Sequence, residues 1–154
     1  MITILDKPPV EVQNNLNDLI ADLDAKIPSK KLDKNLLIAS WNIRAFGDLT
    51  RKWDSDESDS PKRDLHSVLC IAEIIKRFDV IAIQEVKANI RALRDTLKVL
   101  GNNWSLILTD VSKGDAGNGE RMAYLFDTRR VQLSGLAGEL VVPSEWSKKI
   151  NSNV

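Results

Sequence analysis

In this chain of 154 residues, 22 lysines and arginines balance 22 aspartates and glutamates, and 43% of the residues are hydrophobic. This length and composition predict one folded domain and exclude an intrinsically disordered chain. The zero net charge removes the simplest argument for nucleic-acid binding, an overall basic charge, but it leaves room for a local basic patch.

The N-terminus lacks the basic and apolar segments of a signal peptide, and the apolar runs are too short to span a membrane. We therefore expect a cytoplasmic protein. The single cysteine cannot form an internal disulfide and offers no metal-ligand spacing.

The first part of the chain predicts a helix, a linker and a strand. Apolar residues recur at helical spacing over residues 10–27, and Pro28 ends the pattern. A polar linker runs to residue 35, and residues 36–44 are apolar enough to form a buried strand. Residues 1–35 are therefore interpreted as an N-terminal helix and linker that precede the main domain.

Two further helices alternate with strands. Ser60 and Pro61 have the residue types of a helix N-cap and a first helical position, and an amphipathic helix follows them. A strand is predicted over residues 79–86. A third helix ends at Gly101, a residue type that commonly terminates helices, and a strand over residues 104–111 comes next.

The last part of the chain predicts two strands, over residues 120–127 and 131–142, joined by a short turn. Strands that alternate with helices predict an α/β layer, and the final hairpin predicts a mixed sheet rather than an all-parallel one. The main domain is then expected over residues 36–142, and residues 143–154 form a polar tail.

Three polar side chains stand at the ends of three predicted strands: Asn42, Glu85 and Glu120. Each has an ordinary explanation alone. Asn42 can bond a neighbouring turn, and Glu85 can be a solvated strand end. Glu120 can form a surface ion pair with Arg121 or Arg44. Together they indicate more, because a carboxylate with few protein ligands and several waters is how Mg²⁺ is usually held, and such a cation stabilises charge in phosphoryl transfer.

The segments IASWNIRAFG, DVIAIQEVK and GNGERMAYLFDTRRV, in that order, resemble the endonuclease/exonuclease/phosphatase superfamily, which has the deoxyribonuclease-I-like fold. The resemblance runs from Leu36 to Val142. It implies a four-layer αββα sandwich and a hydrolase of phosphodiesters or phosphomonoesters that uses Mg²⁺ or Mn²⁺. The substrate would be nucleic acid or another phosphodiester, and the fold alone does not choose between them.

The resemblance also implies roles for individual residues. Glu85 would ligate the metal, and Asn42 would support the metal or the scissile phosphate as part of catalysis. Glu120 matches the acidic residue that orients a catalytic histidine in some nuclease members. Arg44 and Arg121 are the expected phosphate contacts.

Other family motifs do not occur in the chain. The G-D-F-N-like and S-D-H-like motifs are missing, and the only histidine, His66, lies in a predicted helix, where we expect a solvated or capping residue. We therefore expect the first half of a sandwich with an added N-terminal helix. Two interpretations stay open. The chain is the metal-binding half of a metal-dependent nuclease-like hydrolase, or it is a non-catalytic fragment or pseudoenzyme that acts through self-association or a second chain covering the open sheet.

A basic cluster of Arg91, Arg94 and Lys98 lies at helical spacing in the third predicted helix. The preferred interpretation is a solvated helix face. A phosphate-facing stripe is the alternative.

Overall fold

The computed structural model describes residues 2–111, 119–135 and 138. Within them, helices and strands alternate after an N-terminal helix. In chain order the elements are α1 (Val10–Lys26), β1 (Ile38–Phe46), α2 (Leu65–Ile75), β2 (Val80–Lys87), α3 (Arg91–Leu100), β3 (Trp104–Leu108) and β4 (Glu120–Asp127).

The four strands form one mixed sheet in the order β1-β2-β4-β3. β1 and β2 are parallel, because the chain crosses over through α2 between them. β4 lies antiparallel to both β2 and β3. The predicted α/β fold with a mixed sheet is thus confirmed.

The hydrophobic core lies on one face of this sheet, between the strands and the helices α2 and α3. The fully buried residues Ile83 and Leu125 face the helices from the strands, and Leu65 and Leu93 meet them from α2 and α3. α1 packs against α2, and Ile4, which precedes α1, joins the same core. Within the described residues, the other face of the sheet is open along β1 and β2, where Ile38, Asn42 and Gln84 are exposed, whereas Phe126 on β4 is buried there.

Successive side chains along each strand point alternately to the open face and to the core face, as the period of two in a strand requires. Ile38 on β1 is 65% exposed, and Asn42 and Gln84, which pair across β1 and β2, are exposed as well. This face therefore carries both apolar and polar side chains, and the polar ones gather toward the end of the sheet where β2 finishes.

The ends of the helices agree with the sequence in part. Gly101 follows α3 with φ at +84°, as predicted for a glycine that terminates a helix. The predicted N-cap at Ser60 is wrong, because α2 begins at Leu65 and its N-cap is Asp64, whose carboxylate accepts a hydrogen bond from the Ser67 amide at 2.8 Å. Among the helices in the described residues, none combines the length and apolar character that a membrane crossing requires.

The strand predicted over residues 131–142 is wrong at its start. Residues 131–134 form no strand, and most of the remaining positions lie outside the described residues. A turn follows β4 instead, in which the Asp127 carbonyl accepts hydrogen bonds from the amides of Arg130 and Val131, both at 2.9 Å. The Arg130 side chain then binds Asp79 at 3.0 Å, which holds this part of the chain at the end of the sheet.

Candidate metal and phosphate site at one end of the sheet

The three polar residues predicted at strand ends lie on three adjacent strands. β1 and β2 are parallel, so their C-terminal ends lie at the same end of the sheet, and the start of the antiparallel β4 meets them there. Asn42 pairs in register with Gln84, and Lys87 pairs with Glu120. Asn42, Glu85 and Glu120 therefore lie at the same end of the sheet.

Irregular backbone marks this end of the sheet. The register between β1 and β2 shifts after Asn42, and the register between β2 and β4 shifts after Ile83. Ala45 and Glu85 adopt left-handed backbone angles, with φ of +48° and +59°. Non-glycine residues rarely adopt this conformation, and bulges of this kind re-aim side chains near functional sites. The two bulges turn Glu85 toward β1.

Two hydrogen bonds hold the Glu85 carboxylate. The side-chain amide of Asn42 donates to Oε1 at 2.8 Å, and the backbone N–H of Ala45 donates to Oε2 at 3.1 Å. These two donors, with the positive charges of Lys87 and Arg44 nearby, hold the pKa of Glu85 below its ordinary value. Glu85 is therefore a fixed and ionised carboxylate at neutral pH.

Glu120 has a different partner from those considered in the sequence. Lys87 lies across from it on β2, and the Lys87 ammonium is 2.5 Å from the Glu120 carboxylate. The expectation of an ion pair with Arg121 or Arg44 is thereby corrected, because the register of β2 and β4 places Lys87 directly opposite Glu120. The pair is partly shielded from solvent, with side-chain exposures of 36% and 17%.

The predicted phosphate contacts lie at the same end of the sheet. Arg44 is exposed and makes no ion pair with any described residue, and its charge helps to lower the pKa of Glu85. Arg121 is the residue after Glu120; its Nη2 lies 3.5 Å from the Ala88 carbonyl, and its buried Nε has no hydrogen-bond partner among the described residues. Both guanidinium groups thus keep donors that are unused within the described chain.

A third arginine, Arg63, stabilises the bulge of β1 at Arg44 and Ala45. Arg63 donates to the carbonyls of Arg44 and Ala45 at 2.6 and 2.8 Å, and its guanidinium lies 5.2 Å from the centre of the Phe46 ring. These contacts satisfy two carbonyl groups that the bulge removes from the strand ladder. Arg63 therefore helps to hold the Ala45 amide where it donates to Glu85.

The oxygen atoms at this end of the sheet are suitable ligands for a weakly bound hard cation. In residues 2–111, 119–135 and 138, no three His, Cys, Asp or Glu side chains come together as a metal cage. Mg²⁺ does not need such a cage, because it keeps several waters and is commonly bound through one or two carboxylates together with substrate phosphate oxygens. The ionised Glu85, next to the Asn42 amide, offers ligands of the required kind.

His66 lies in α2, outside this group of residues. Its Nε2 is buried and has no hydrogen-bond partner among the described residues, and the cap of the helix is Asp64. The expectation of a capping residue is therefore wrong, whereas the half-buried side chain as a whole keeps part of its surface in solvent. No hydrogen bond or ion pair in the described ranges joins His66 to Asn42, Glu85 or Glu120.

The sequence did not indicate three features of the site: Lys87, Gly47 and the amide of Ala45. A Cβ placed on Gly47 would lie 2.9 Å from the Lys87 Cβ, so only glycine lets β1 approach Lys87 this closely. The sequence could have indicated Lys87, because this residue is the last of the strand that carries Glu85. The amide of Ala45 gave none, because any residue type carries that group.

Together the fold and the site define a class: an α/β domain that gathers a carboxylate, an amide and arginines with unused donors at the C-terminal end of parallel strands. The family model described as the Endonuclease/Exonuclease/phosphatase family matches residues 39–137 of the 154-residue chain. This match covers more than half of the chain, so the protein belongs to the endonuclease/exonuclease/phosphatase family, whose members generally depend on divalent metals. A search of curated proteins gave no match.

Proposed function

We propose that this protein is a metal-dependent phosphodiester hydrolase of the nuclease type, in which Glu85 holds Mg²⁺ or Mn²⁺. The observation that carries the proposal is the Glu85 carboxylate, bonded by Asn42 at 2.8 Å and by the Ala45 amide at 3.1 Å in a left-handed bulge. Backbone strain of this kind concentrates at functional sites. Membership of a family that acts on phosphate esters supplies the class of reaction.

Each residue at this end of the sheet has a role in the proposal. A cation held at Glu85 would polarise a phosphoryl oxygen and stabilise the charge that develops in the transition state. Asn42 holds the Glu85 carboxylate in place and lowers its pKa, and it would lie close to the scissile phosphate. Arg44 and Arg121 supply donors for the non-bridging phosphate oxygens.

Glu120 and Lys87 act as a pair in this proposal. The Lys87 ammonium lies 2.5 Å from the Glu120 carboxylate, and the pair would hold this carboxylate at the same end of the sheet as Glu85. A carboxylate in this position can orient a proton-transferring group of the active enzyme.

A metal titration and a cleavage assay test the proposal. Isothermal titration calorimetry should detect Mg²⁺ or Mn²⁺ binding that Glu85→Gln removes, and a labelled DNA, a labelled RNA and bis(4-nitrophenyl) phosphate report hydrolysis with metal and with EDTA. The matched control is Glu57→Gln, an exposed carboxylate in the loop before α2. Metal binding that survives in Glu85→Gln but falls in Glu57→Gln would refute the assignment of Glu85.

A second candidate function is a non-catalytic member of the family that acts by association. The open face of the sheet favours it, because Ile38 there is 65% exposed and the main hydrophobic cluster lies on the other side. Each large apolar side chain left in water forgoes about 1.5–3 kcal/mol, so covering this face would stabilise the protein. Sedimentation velocity distinguishes the candidates: a monomer with metal-dependent cleavage supports the hydrolase, and an oligomer without cleavage supports the second.

A further inference from the structure

The basic residues of α3 are exposed, and they also line a cavity that is open to solvent. Together with Arg51 from the loop after β1, the side chains of Arg91, Arg94 and Lys98 surround a concavity of about 350 Å³. Positive charge is thus concentrated in one place on a chain whose net charge is zero. These residues are exposed, as a solvated helix face requires, and the structure adds that they share one cavity with Arg51.

One buried carboxylate organises this cavity. Asp95 is 1% exposed, and its two oxygens bind Arg51 at 3.1 Å and Lys98 at 2.7 Å. Asp95 therefore fixes two cations of the cavity wall in position. A third cation, Arg91, is paired with Asp48 at 2.8 Å.

Positive charge remains after these pairings. The four cations face two carboxylates, and Arg94 is exposed and forms no ion pair with any described residue. Groups of arginine and lysine with unused donors bind phosphate strongly, because the hydrogen bonds to its oxygens are charge-assisted. The chemistry of the cavity therefore selects a phosphate group.

The cavity continues into a second concavity, which indicates a ligand longer than one phosphate. Arg94 and Lys98 line both, and the second has a volume of about 590 Å³ and apolar walls that include Leu97 and Trp104. From Arg91 to Lys98 the helix rises by about 10 Å. A row of cations beside an apolar and aromatic wall is the arrangement that binds single-stranded nucleic acid.

The cavity also lies close to the candidate metal site. α3 starts four residues after Lys87, and the Ala92 amide donates to the Gly47 carbonyl at 2.9 Å. The same glycine packs against Lys87, the partner of Glu120. The start of α3 is therefore attached to the end of the sheet where Glu85 lies.

We infer that this cavity is a binding site for the backbone phosphates of a polynucleotide, which selects nucleic acid over small phosphoesters as the substrate. The choice of ligand rests on the proposed phosphodiesterase function, but the binding itself does not need the metal. Arg94 is the principal free contact, and Arg51 and Lys98 are held for the ligand by Asp95.

Fluorescence anisotropy with a labelled single-stranded oligonucleotide in EDTA tests the inference without catalysis. We expect Arg94→Ala to weaken binding by about tenfold, the loss of one charge-assisted hydrogen bond, and to lower the slope of log affinity against log salt by about 1. Arg94→Lys should restore part of the affinity. Lys34→Ala, an exposed cation in the linker before β1, is the matched control and should bind like the wild type.

The outcomes separate this inference from the proposed function. Binding that depends on Arg94, in a protein that cleaves nothing with metal, upholds the site and refutes the hydrolase. Metal-dependent cleavage with oligonucleotide affinity unchanged in Arg94→Ala overturns the site alone. Phosphoinositide vesicles and inorganic phosphate are the comparison probes, and Arg94-dependent binding to either without binding to the oligonucleotide also overturns the inference.

Discussion

The side-chain amide of Asn42 on β1 lies 2.8 Å from the Glu85 carboxylate on β2, so two neighbouring parallel strands share one polar contact at their C-terminal ends. The contact lies where the register between β1 and β2 and the register between β2 and β4 both shift. It lowers the pKa of Glu85 and fixes the direction of the carboxylate. The first two predictions concern this pair.

Replacing Asn42 should raise the pKa of Glu85 and weaken metal binding. The wild-type pKa lies below the ordinary value of 4.5, first because of the Asn42 hydrogen bond and then because of the Ala45 amide. In Asn42→Ala we expect metal affinity to fall by about 10–100-fold, as is typical when the partner of a ligand is lost. The acid limit of metal binding should move to higher pH, which calorimetric titrations at a series of pH values would measure.

The stability of the same variant has a definite pH dependence. Because the pKa of Glu85 is lowered by folding, its hydrogen bonds stabilise the protein above pH 4.5 and that contribution is lost as pH falls through the folded-state pKa. The difference in stability between wild type and Asn42→Ala should therefore shrink in acid. Asn14→Ala, an exposed position in α1, serves as the control. A difference that grows in acid would contradict the role of Asn42.

Glycine at position 85 should be better tolerated than alanine. Glu85 has φ of +59°, a conformation that costs little for glycine and is strained for residues with a Cβ. Both substitutions remove the carboxylate, so their comparison isolates the backbone. We expect Glu85→Gly to melt about 3 °C higher than Glu85→Ala by differential scanning calorimetry. Equal melting temperatures would show that the bulge relaxes when the side chain is lost.

A methyl group at Gly47 should disrupt the neighbouring ion pair. In Gly47→Ala the new Cβ would lie 2.9 Å from Lys87 Cβ and 3.2 Å from Lys87 Cγ, so β1 or Lys87 must move. We expect a loss of about 1–3 kcal/mol in the free energy of unfolding, as for other overpacked sites, together with a weakened Lys87–Glu120 contact.

Gly135→Ala is the matched control for this substitution, because nothing lies within 4 Å of a Cβ placed there. Urea unfolding of both variants measures the difference. If the two variants lose the same stability, the close approach of Gly47 to Lys87 does not matter for folding.

Asp127 at the opposite end of the sheet should carry a large share of the acid sensitivity. Its side chain is 1% exposed, and hydrogen bonds from Arg129 at 2.7 and 2.9 Å lower its pKa to about 2. Since folding lowers this pKa from 3.8, the carboxylate stabilises the protein above that pH and loses its contribution as pH falls toward 2. The contribution at neutral pH amounts to about 2 kcal/mol.

Urea unfolding between neutral pH and pH 2 tests this prediction. Asp127→Asn should be less stable at neutral pH and should lose less stability on acidification than the wild type. Asp18→Asn, an exposed position in α1, should show the wild-type acid dependence. An acid dependence unchanged in Asp127→Asn would assign the sensitivity to other carboxylates, such as Asp79.

Much of the fold follows from local patterns in the sequence. The spacing of apolar residues predicts α1, α2 and α3, because one face of each helix must be buried. The alternation of strands and helices predicts the mixed α/β sheet, and the positions of Asn42, Glu85 and Glu120 at strand ends identify the candidate site. The sequence alone does not decide whether α2 is capped by Ser60 or by Asp64, because this depends on the tertiary contacts of residues 50–63.

Local patterns could not predict which side chains meet across strands. The partner of Glu120 is Lys87 because of the register between β2 and β4, and a shift of one residue would have turned either side chain to the other face. The same holds for Arg51, which is 40 residues from Arg91 in the chain but lines the same cavity.

The sequence by itself determined the family, the order of helices and strands, and the residues that carry polar atoms to one end of the sheet. These depend on residue type and spacing, which are properties of short stretches of chain. Only the tertiary structure decided that Asn42 donates to Glu85, that Lys87 neutralises Glu120, and that the α3 cations surround a cavity. Those relationships depend on strand register, on the bulges at Ala45 and Glu85, and on helix packing, which arise from contacts between residues far apart in the chain.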